Sequence, residues 1–283
     1  GGGQSNLSSI GGIGAGNEPF CAAGRRTIKA GLTLAEVLIT LGIIGVVAAL
    51  TLPAIVGKYQ KIETISRLKK ANSVIGSFLQ KAEEDNGCLA DWSWGTSDYH
   101  TYGLDAVNKF IKPYFNVLND SETYNSKRGF SSPSSFMSSI GYEMFSSKNG
   151  GYPEPFKTIN GGDFSGYNYM NIYFLTTDGF VYGWGWHQSQ LTGRREMEFL
   201  VDINGPKRPN VAGKDVFMFK IGGEYCQSKV WPYKLGNQSC DGKGHCTYFP
   251  HKCGSGEDCR RSGFDCTCKI VEDGWQIKDD YPW

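Results

Sequence analysis

The chain has almost no excess charge of either sign. Its 29 Lys and Arg residues face 28 Asp and Glu residues, so the net charge at pH 7 is +1. Proteins that bind nucleic acids through the phosphates need an excess of positive charge, and this composition argues against that class. Hydrophobic residues make up 40% and charged residues 20% of the chain, which is typical of a folded protein and not of a disordered one.

Catalytic motifs are also lacking. The sequence contains no G-x-S-x-G, H-E-x-x-H or G-x-x-x-x-G-K pattern. It has four histidines, and none has a recognisable triad partner; they are His100, His187, His245 and His251. We therefore expect that the protein is not an enzyme.

Only one apolar run is long enough to cross a membrane, which argues against a protein with several spans. Val37–Val56 contains 20 residues without a charged side chain, and such a helix is about 30 Å long. Arg25, Arg26 and Lys29 precede the run. The tendency of basic residues to stay in the cytoplasm predicts a cytoplasmic N-terminus, with the rest of the chain exported.

An acidic residue stands at the start of this run. Glu36 is ionisable, and a carboxylate among apolar residues at the membrane end of a helix is costly, which indicates an intended partner. The alternative is a carboxylate that reaches the headgroup layer from an ordinary membrane anchor.

The segment Lys29–Ile39 has the sequence KAGLTLAEVLI. It resembles the processing motif of type IV pilins and type II secretion pseudopilins. The resemblance implies that residues 1–31 form a leader peptide, that cleavage follows Gly31, and that Leu32 becomes the N-methylated first residue. Glu36 then stands fifth in the mature chain, at the position where the family has a glutamate. Phe is the usual first residue, and Leu32 departs from that pattern.

The same resemblance implies a function and a set of partners. The chain would be a structural subunit of a type IV pilus-like or type II secretion pseudopilus filament. Its partners would be the prepilin peptidase/N-methyltransferase, an inner-membrane assembly platform, membrane lipid before assembly, and other pilin or pseudopilin subunits. It would span the inner membrane once and then enter a periplasmic or extracellular filament. An alternative is a minor tip subunit that binds a surface, DNA or secretion cargo.

The spacing of Leu32 and Glu36 gives this assembly a physical basis. Residues four apart lie on the same helix face. The amine that cleavage exposes at Leu32 could therefore pair with Glu36 of a neighbouring subunit and set the stagger between copies. Pro53 lacks a backbone donor, and we expect it to kink or locally melt the helix.

The pattern of apolar residues predicts an α+β fold. Its long N-terminal helix has a transmembrane half and an amphipathic half, Lys58–Asn86, and it packs on an antiparallel β-sheet head. Four strands are predicted at Asn171–Thr176, Phe180–Trp186, Glu196–Ile203 and Asp215–Ile221, with a turn at Thr177-Asp178-Gly179 between the first two. We also predict a short helix at Leu104–Phe110, a loop at Ser131–Ser139 and a strand and turn at Lys269–Trp275. The corresponding regions are 1–31, 32–57, 58–87, 88–221 and a Cys-rich region, 222–283.

Eight of the nine cysteines follow the predicted cleavage point. They are Cys88, Cys226, Cys240, Cys246, Cys253, Cys259, Cys266 and Cys268. An even number of cysteines on an oxidising side of the membrane predicts disulfides, although the sequence leaves the pairing open. Zinc is the alternative, but no paired C-x-x-C arrangement occurs among these cysteines.

One stretch carries oxygen ligands at short spacing. Asp202, Asn204 and Asp215 resemble a loop that holds Ca²⁺ in several members of the pilin family. The alternative is a turn stabilised by the Asp and Asn side chains. No other cofactor is expected.

Overall fold

The computed structural model describes residues 33–92, 104–121, 133–146, 153–166, 170, 172–188, 195–224, 227–233, 237–240, 246–249 and 253–283. Packing divides the chain into a unit that ends at Pro53 and a unit from Ala54 to Trp283.

A single helix, α1 (Leu34–Asn86), forms 53 residues of the chain. Pro53 lies inside it with helical residues on both sides, so local melting is not found and the kink stays a prediction. In the first unit the apolar side chains of α1 are exposed, and its apolar window is 0% buried within the chain. By length and composition, this helix could cross a membrane.

In the second unit α1 buries one face, which confirms the predicted amphipathic pattern. The buried positions recur every three or four residues and are Thr64, Leu68, Ala71, Ile75, Phe78, Leu79 and Ala82. The helix ends at Asn86, and Gly87 follows with φ at +76°, a left-handed conformation that favours glycine. The aromatic ring of Phe78 packs against Phe199 of the sheet with ring centroids 5.8 Å apart.

The sheet has six antiparallel strands in sequence order. They are β1 (Val117–Asp120), β2 (Ile172–Thr176), β3 (Val181–Gln188), β4 (Arg195–Asp202), β5 (Val216–Glu224) and β6 (Gln227–Pro232). The four predicted strands are confirmed as β2 to β5. The β2–β3 turn is also confirmed, with Gly179 at φ +83° and its N–H bonded to the Thr176 carbonyl at 3.0 Å.

Side chains alternate along the strands, and apolar side chains are buried on both faces of the sheet. Tyr182, Phe199 and Phe217 face the cluster that contains α1, whereas Tyr173, Leu200 and Met218 face a second cluster on the other side. β5 crosses the predicted boundary at residue 221, and β6 adds a further strand. The start of the Cys-rich region therefore continues the sheet.

Two helical segments lie outside the sheet before β2. The predicted short helix is confirmed as α2 (Leu104–Ala106), continued by π-helix at Val107–Ile111 and 3-10 helix at Lys112–Tyr114. The loop predicted at Ser131–Ser139 is wrong, because Pro133–Ser139 forms α3. Proline suits the first turn of a helix, and the completely buried Phe136 and Met137 anchor this one in the second cluster.

The C-terminal part holds a β7–β8 hairpin (Asn237–Cys240 and Cys246–Phe249) and two helices, α4 (Gly256–Ser262) and α5 (Cys266–Glu272). The strand predicted at Lys269–Trp275 is wrong, because its first residues belong to α5. Cys266 and Cys268 are covalently tied to the segment around α4, and Ile270 is completely buried. Tertiary constraint of this kind overrides the strand propensity of two β-branched residues, Ile270 and Val271.

Candidate functional site

The described chain begins next to the predicted processing point. Gly31 and Leu32 lie outside the described residues, and Thr33 is the residue before α1. The Glu36 carboxylate accepts hydrogen bonds from the Thr33 N–H and the Thr33 hydroxyl, both at 2.8 Å. In return, the Glu36 N–H donates to Thr33 Oγ1 at 3.3 Å. This reciprocal pair is a capping box at the start of α1.

The capping box gives Glu36 a local role that the sequence reasoning missed. The signal was present, since Thr33-Leu34-Ala35-Glu36 has the T-x-x-E spacing of such a cap. Within a single copy of the chain, Thr33 thus supplies hydrogen-bond donors to the Glu36 carboxylate, without a partner from another copy. The carboxylate is exposed within this chain, so it stays accessible to a further donor.

The surface that follows Glu36 is apolar and unusually exposed. Leu50 is 76% exposed, and most of its neighbours in the run are more than half exposed. An exposed apolar surface of this extent is typical of a segment that contacts lipid or another protein surface. Gly42 and Gly45 lie within the run, and a Cβ built at either would meet no atom of this chain.

The structure brings together the three candidate calcium residues. Asp202 ends β4 and Asp215 precedes β5, with Asn204 in the connecting loop. The Asn204 side-chain amide donates to Asp215 Oδ2 at 3.2 Å, and the Asn204 N–H donates to Asp202 Oδ1 at 3.0 Å. Tyr142, 60 residues away, donates its hydroxyl to Asp202 Oδ2 at 2.6 Å. No local sequence pattern could have linked Tyr142 to this loop.

Donors of this chain already occupy the two carboxylates. Asp215 accepts from the Asn210 N–H at 2.7 Å and the Val211 N–H at 2.6 Å, in addition to Asn204. These N–H and O–H groups compete with a calcium ion for the lone pairs of the carboxylate oxygens. The contacts therefore support the alternative of a turn held by Asp and Asn side chains. The Asn204 Oδ1 atom is buried and accepts no hydrogen bond from the described residues.

Burial alters the titration of this pair. Asp202 is 0% exposed and Asp215 is 3% exposed. Burial raises the pKa of the Asp215 carboxyl to about 6. Burial, and then the nearby charge of Asp215, raise the pKa of Asp202 well above its usual range. Burial, followed by the charge of Asp202, likewise raises the pKa of the Tyr142 phenol.

These shifts predict that the folded state loses stability as the pH rises. The folded pKa of Asp215 lies above its unfolded value of 3.8, so the folded state binds the proton more tightly. Its contribution is complete below pH 4 and is lost as the pH rises through 6. From pH 5 to pH 7 the expected loss is about 1 kcal/mol for Asp215 alone. Urea unfolding of wild type and Asp215→Asn at both pH values measures it.

The variant Asp215→Asn should show a smaller fall in unfolding free energy between pH 5 and pH 7 than wild type. Asp105→Asn is the matched control, because it is the same substitution at an exposed residue. Equal pH dependence in wild type and Asp215→Asn would show that Asp215 does not titrate in this range.

Two disulfides stabilise the C-terminal helices. Cys253 bonds Cys268 and Cys259 bonds Cys266, so the shorter link is nested inside the longer one. Cys88 is also disulfide-bonded. The side chains of the remaining three predicted cysteines, Cys226, Cys240 and Cys246, lie outside the described residues. Cys253, Cys259, Cys266 and Cys268 thus form disulfides, where zinc binding was the alternative. The described residues contain no group of three or more His, Cys, Asp or Glu residues placed to hold a metal.

Comparisons with protein-family models, with curated proteins and with solved structures return no match to this chain.

Proposed function

We propose that this chain is a structural subunit of a type IV pilus-like or type II secretion pseudopilus filament. The observation that supports this proposal most strongly is α1, a single 53-residue helix. It exposes an apolar surface before Pro53 and buries one face against an antiparallel sheet after Ala54. The exposed part needs lipid first and neighbouring helices later, and a subunit that moves from membrane to filament supplies both.

In this proposal the leader is removed after Gly31 by the prepilin peptidase, and Leu32 becomes the N-methylated first residue. The chain stays in the inner membrane as a single-pass protein until the assembly platform passes it to the filament. The disulfides Cys253–Cys268 and Cys259–Cys266 support an exported head, because such bonds persist in oxidising compartments.

The acid Glu36 sets the register between copies in this proposal. In the free subunit its carboxylate accepts two hydrogen bonds from Thr33. Cleavage creates an amine at Leu32, and the amine of a neighbouring copy provides a stronger, charged donor in an apolar setting. The capping contacts keep the carboxylate hydrogen-bonded until that donor arrives.

Processing can be tested at Gly31. N-terminal sequencing of protein isolated from its host should begin with Leu-Thr-Leu-Ala-Glu-Val. The variant Gly31→Ala should accumulate as a chain longer by the leader, because the added methyl group obstructs the peptidase at the cleaved bond.

Gly24→Ala is the matched control for Gly31→Ala, since it places the same methyl group within the leader and should be processed normally. Mature protein that starts elsewhere, or normal processing of Gly31→Ala, would contradict the proposal.

A further inference from the structure

Charge is segregated along the part of α1 that packs on the sheet. Between Ala54 and Lys70 the helix has five basic residues and one acidic residue, and between Ala71 and Asn86 it has one basic and three acidic residues. The three acids are Glu83, Glu84 and Asp85, which we call the acidic stem end. The helix dipole favours the opposite arrangement, with cations in the last turn. Helix stability therefore does not explain this placement.

A basic groove lies beside the other end of the same helical segment. It is a cavity of about 580 Å³ between α1 and the loop that follows β4. We define the basic groove by its four cationic lining residues, Arg67, Lys207, Arg208 and Lys214. The loop is fixed to the helix, because Arg67 Nη1 donates to the Ile203 carbonyl at 3.1 Å and Thr64 Oγ1 donates to the Lys214 carbonyl at 3.3 Å.

Two of these cations lack a partner. Arg67 pairs with Glu63 and Arg208 pairs with Glu143. Within the described part of the chain, the side chains of Lys207 and Lys214 form no ion pair or hydrogen bond. The lining also includes two acids, Glu63 and Asp215, so the groove has an excess of positive charge, and its two unpaired lysines lie on an anchored loop.

Glu84 and Asp85 supply the negative charge of the acidic stem end that the proposed contact uses. Asp85 accepts a hydrogen bond from the Tyr114 hydroxyl at 2.8 Å, and Glu84 accepts one from Gln80 at 3.3 Å. Both residues are exposed, and among the described residues neither forms an ion pair. From Arg67 to Asp85 the helix rises by about 27 Å, so the two surfaces cannot meet within one copy.

We propose that the basic groove of one copy of this chain binds the acidic stem end of a second copy. A contact between two different surfaces is head-to-tail, and when the rotation does not close a ring it repeats as an open helical filament. Opposite charges at the two ends also disfavour head-to-head pairs, in which like charges meet. The inference rests on the filament function proposed above and specifies which surfaces of the head join.

The contact can be located by a zero-length carbodiimide reaction. Full-length ¹⁴N and ¹⁵N copies are mixed in a neutral detergent at low ionic strength, and the reaction links amines to carboxylates that are in ion-pair contact. Mass spectrometry should find peptides that join Lys207 or Lys214 of one isotope to Glu84 or Asp85 of the other. Cross-links confined to one isotope, or to other peptides, would overturn the proposal.

Charge reversal tests the same contact through affinity. Fluorescence energy transfer between labelled copies should show self-association about tenfold weaker for Lys207→Glu/Lys214→Glu and also for Glu84→Lys. A mixture of these two variants should bind to within about threefold of wild type, because each reversed surface meets its complement. Lys229→Glu is the matched control, since Lys229 is exposed on β6 and belongs to neither surface.

The outcomes separate this inference from the proposed function. The neutral variant Lys207→Gln/Lys214→Gln should give an intermediate affinity, which guards against misfolding of the reversed chain. The contact is overturned if the charge-reversed variants associate as tightly as wild type, or if mixing them does not restore the affinity. It is also overturned if the affinity of the reversed variants falls only when anionic lipid is present. If reversed variants still enter filaments normally, the contact fails and the filament function stands. If the expected cross-links form but the wild-type chain never enters filaments, the contact stands and the filament function fails.

Discussion

The variant Glu36→Ala is expected to be exported, cleaved and folded normally, yet to be absent from filaments. Its head retains every described contact beyond residue 54, so melting of the head should match wild type. Its N-terminus, in contrast, loses the only acid in the segment 32–57. The amine at Leu32 of the neighbouring copy is then a charge without a partner in an apolar setting, which costs several kcal/mol per subunit. Quantitative immunoblotting of sheared filaments against total membrane protein measures the loss.

The capping box makes a sharper version of this experiment available. Glu36→Gln keeps a side chain that can accept from the Thr33 N–H, as glutamine does in capping boxes, but it removes the charge. If charge pairing with the amine drives assembly, Glu36→Gln should fail as completely as Glu36→Ala. Assembly rescued by Gln would show that the cap is what matters. Asp105→Ala is the control, because that acid is exposed and belongs to neither of the two surfaces proposed to join copies.

Of the two disulfides in the C-terminal helices, removal of the outer one should produce the larger loss of stability. In the double variant Cys253→Ser/Cys268→Ser, a link between residues 15 positions apart is lost, and chain entropy predicts a cost of about 3 kcal/mol. The link joins α5 to the segment before α4, and α5 itself contacts the sheet, where the Thr267 hydroxyl accepts from the Met218 N–H at 3.1 Å. Denaturant unfolding of the oxidised protein in detergent measures the change.

The inner disulfide provides a graded comparison. Cys259→Ser/Cys266→Ser removes a link between residues seven positions apart, so it should cost about 2 kcal/mol. Cys21→Ser falls in the predicted leader and should have no effect on the mature protein. If both double variants unfold like wild type, the C-terminal helices are held by packing alone.

Much of the fold could be read from local patterns. The apolar run of α1, its later three-to-four spacing and the β-rich segments that form β2 to β5 each predict an element by themselves. In the second part of α1 the spacing arises because one face is buried. The strands are recognised by their aromatic and β-branched residues. The turn at Gly179 was also predictable, since only a few residue types accept its left-handed conformation.

The predictions that were wrong involve short segments. Pro133–Ser139 has a loop-like composition, and α5 contains a β-branched pair, Ile270 and Val271. In both places the burial of a few side chains decides the conformation. Local propensity over seven residues is worth less than that burial.

The sequence by itself determined where the membrane-length helix lies, which acid stands at its start and where four of the six strands of the sheet lie. Those features depend on composition and period, which any stretch of chain carries alone. Only the tertiary structure decided that Tyr142 binds Asp202, that Cys253 bonds Cys268, and that a basic groove forms beside Arg67. Each of these joins residues far apart or open to several pairings, and only the packed chain selects one arrangement.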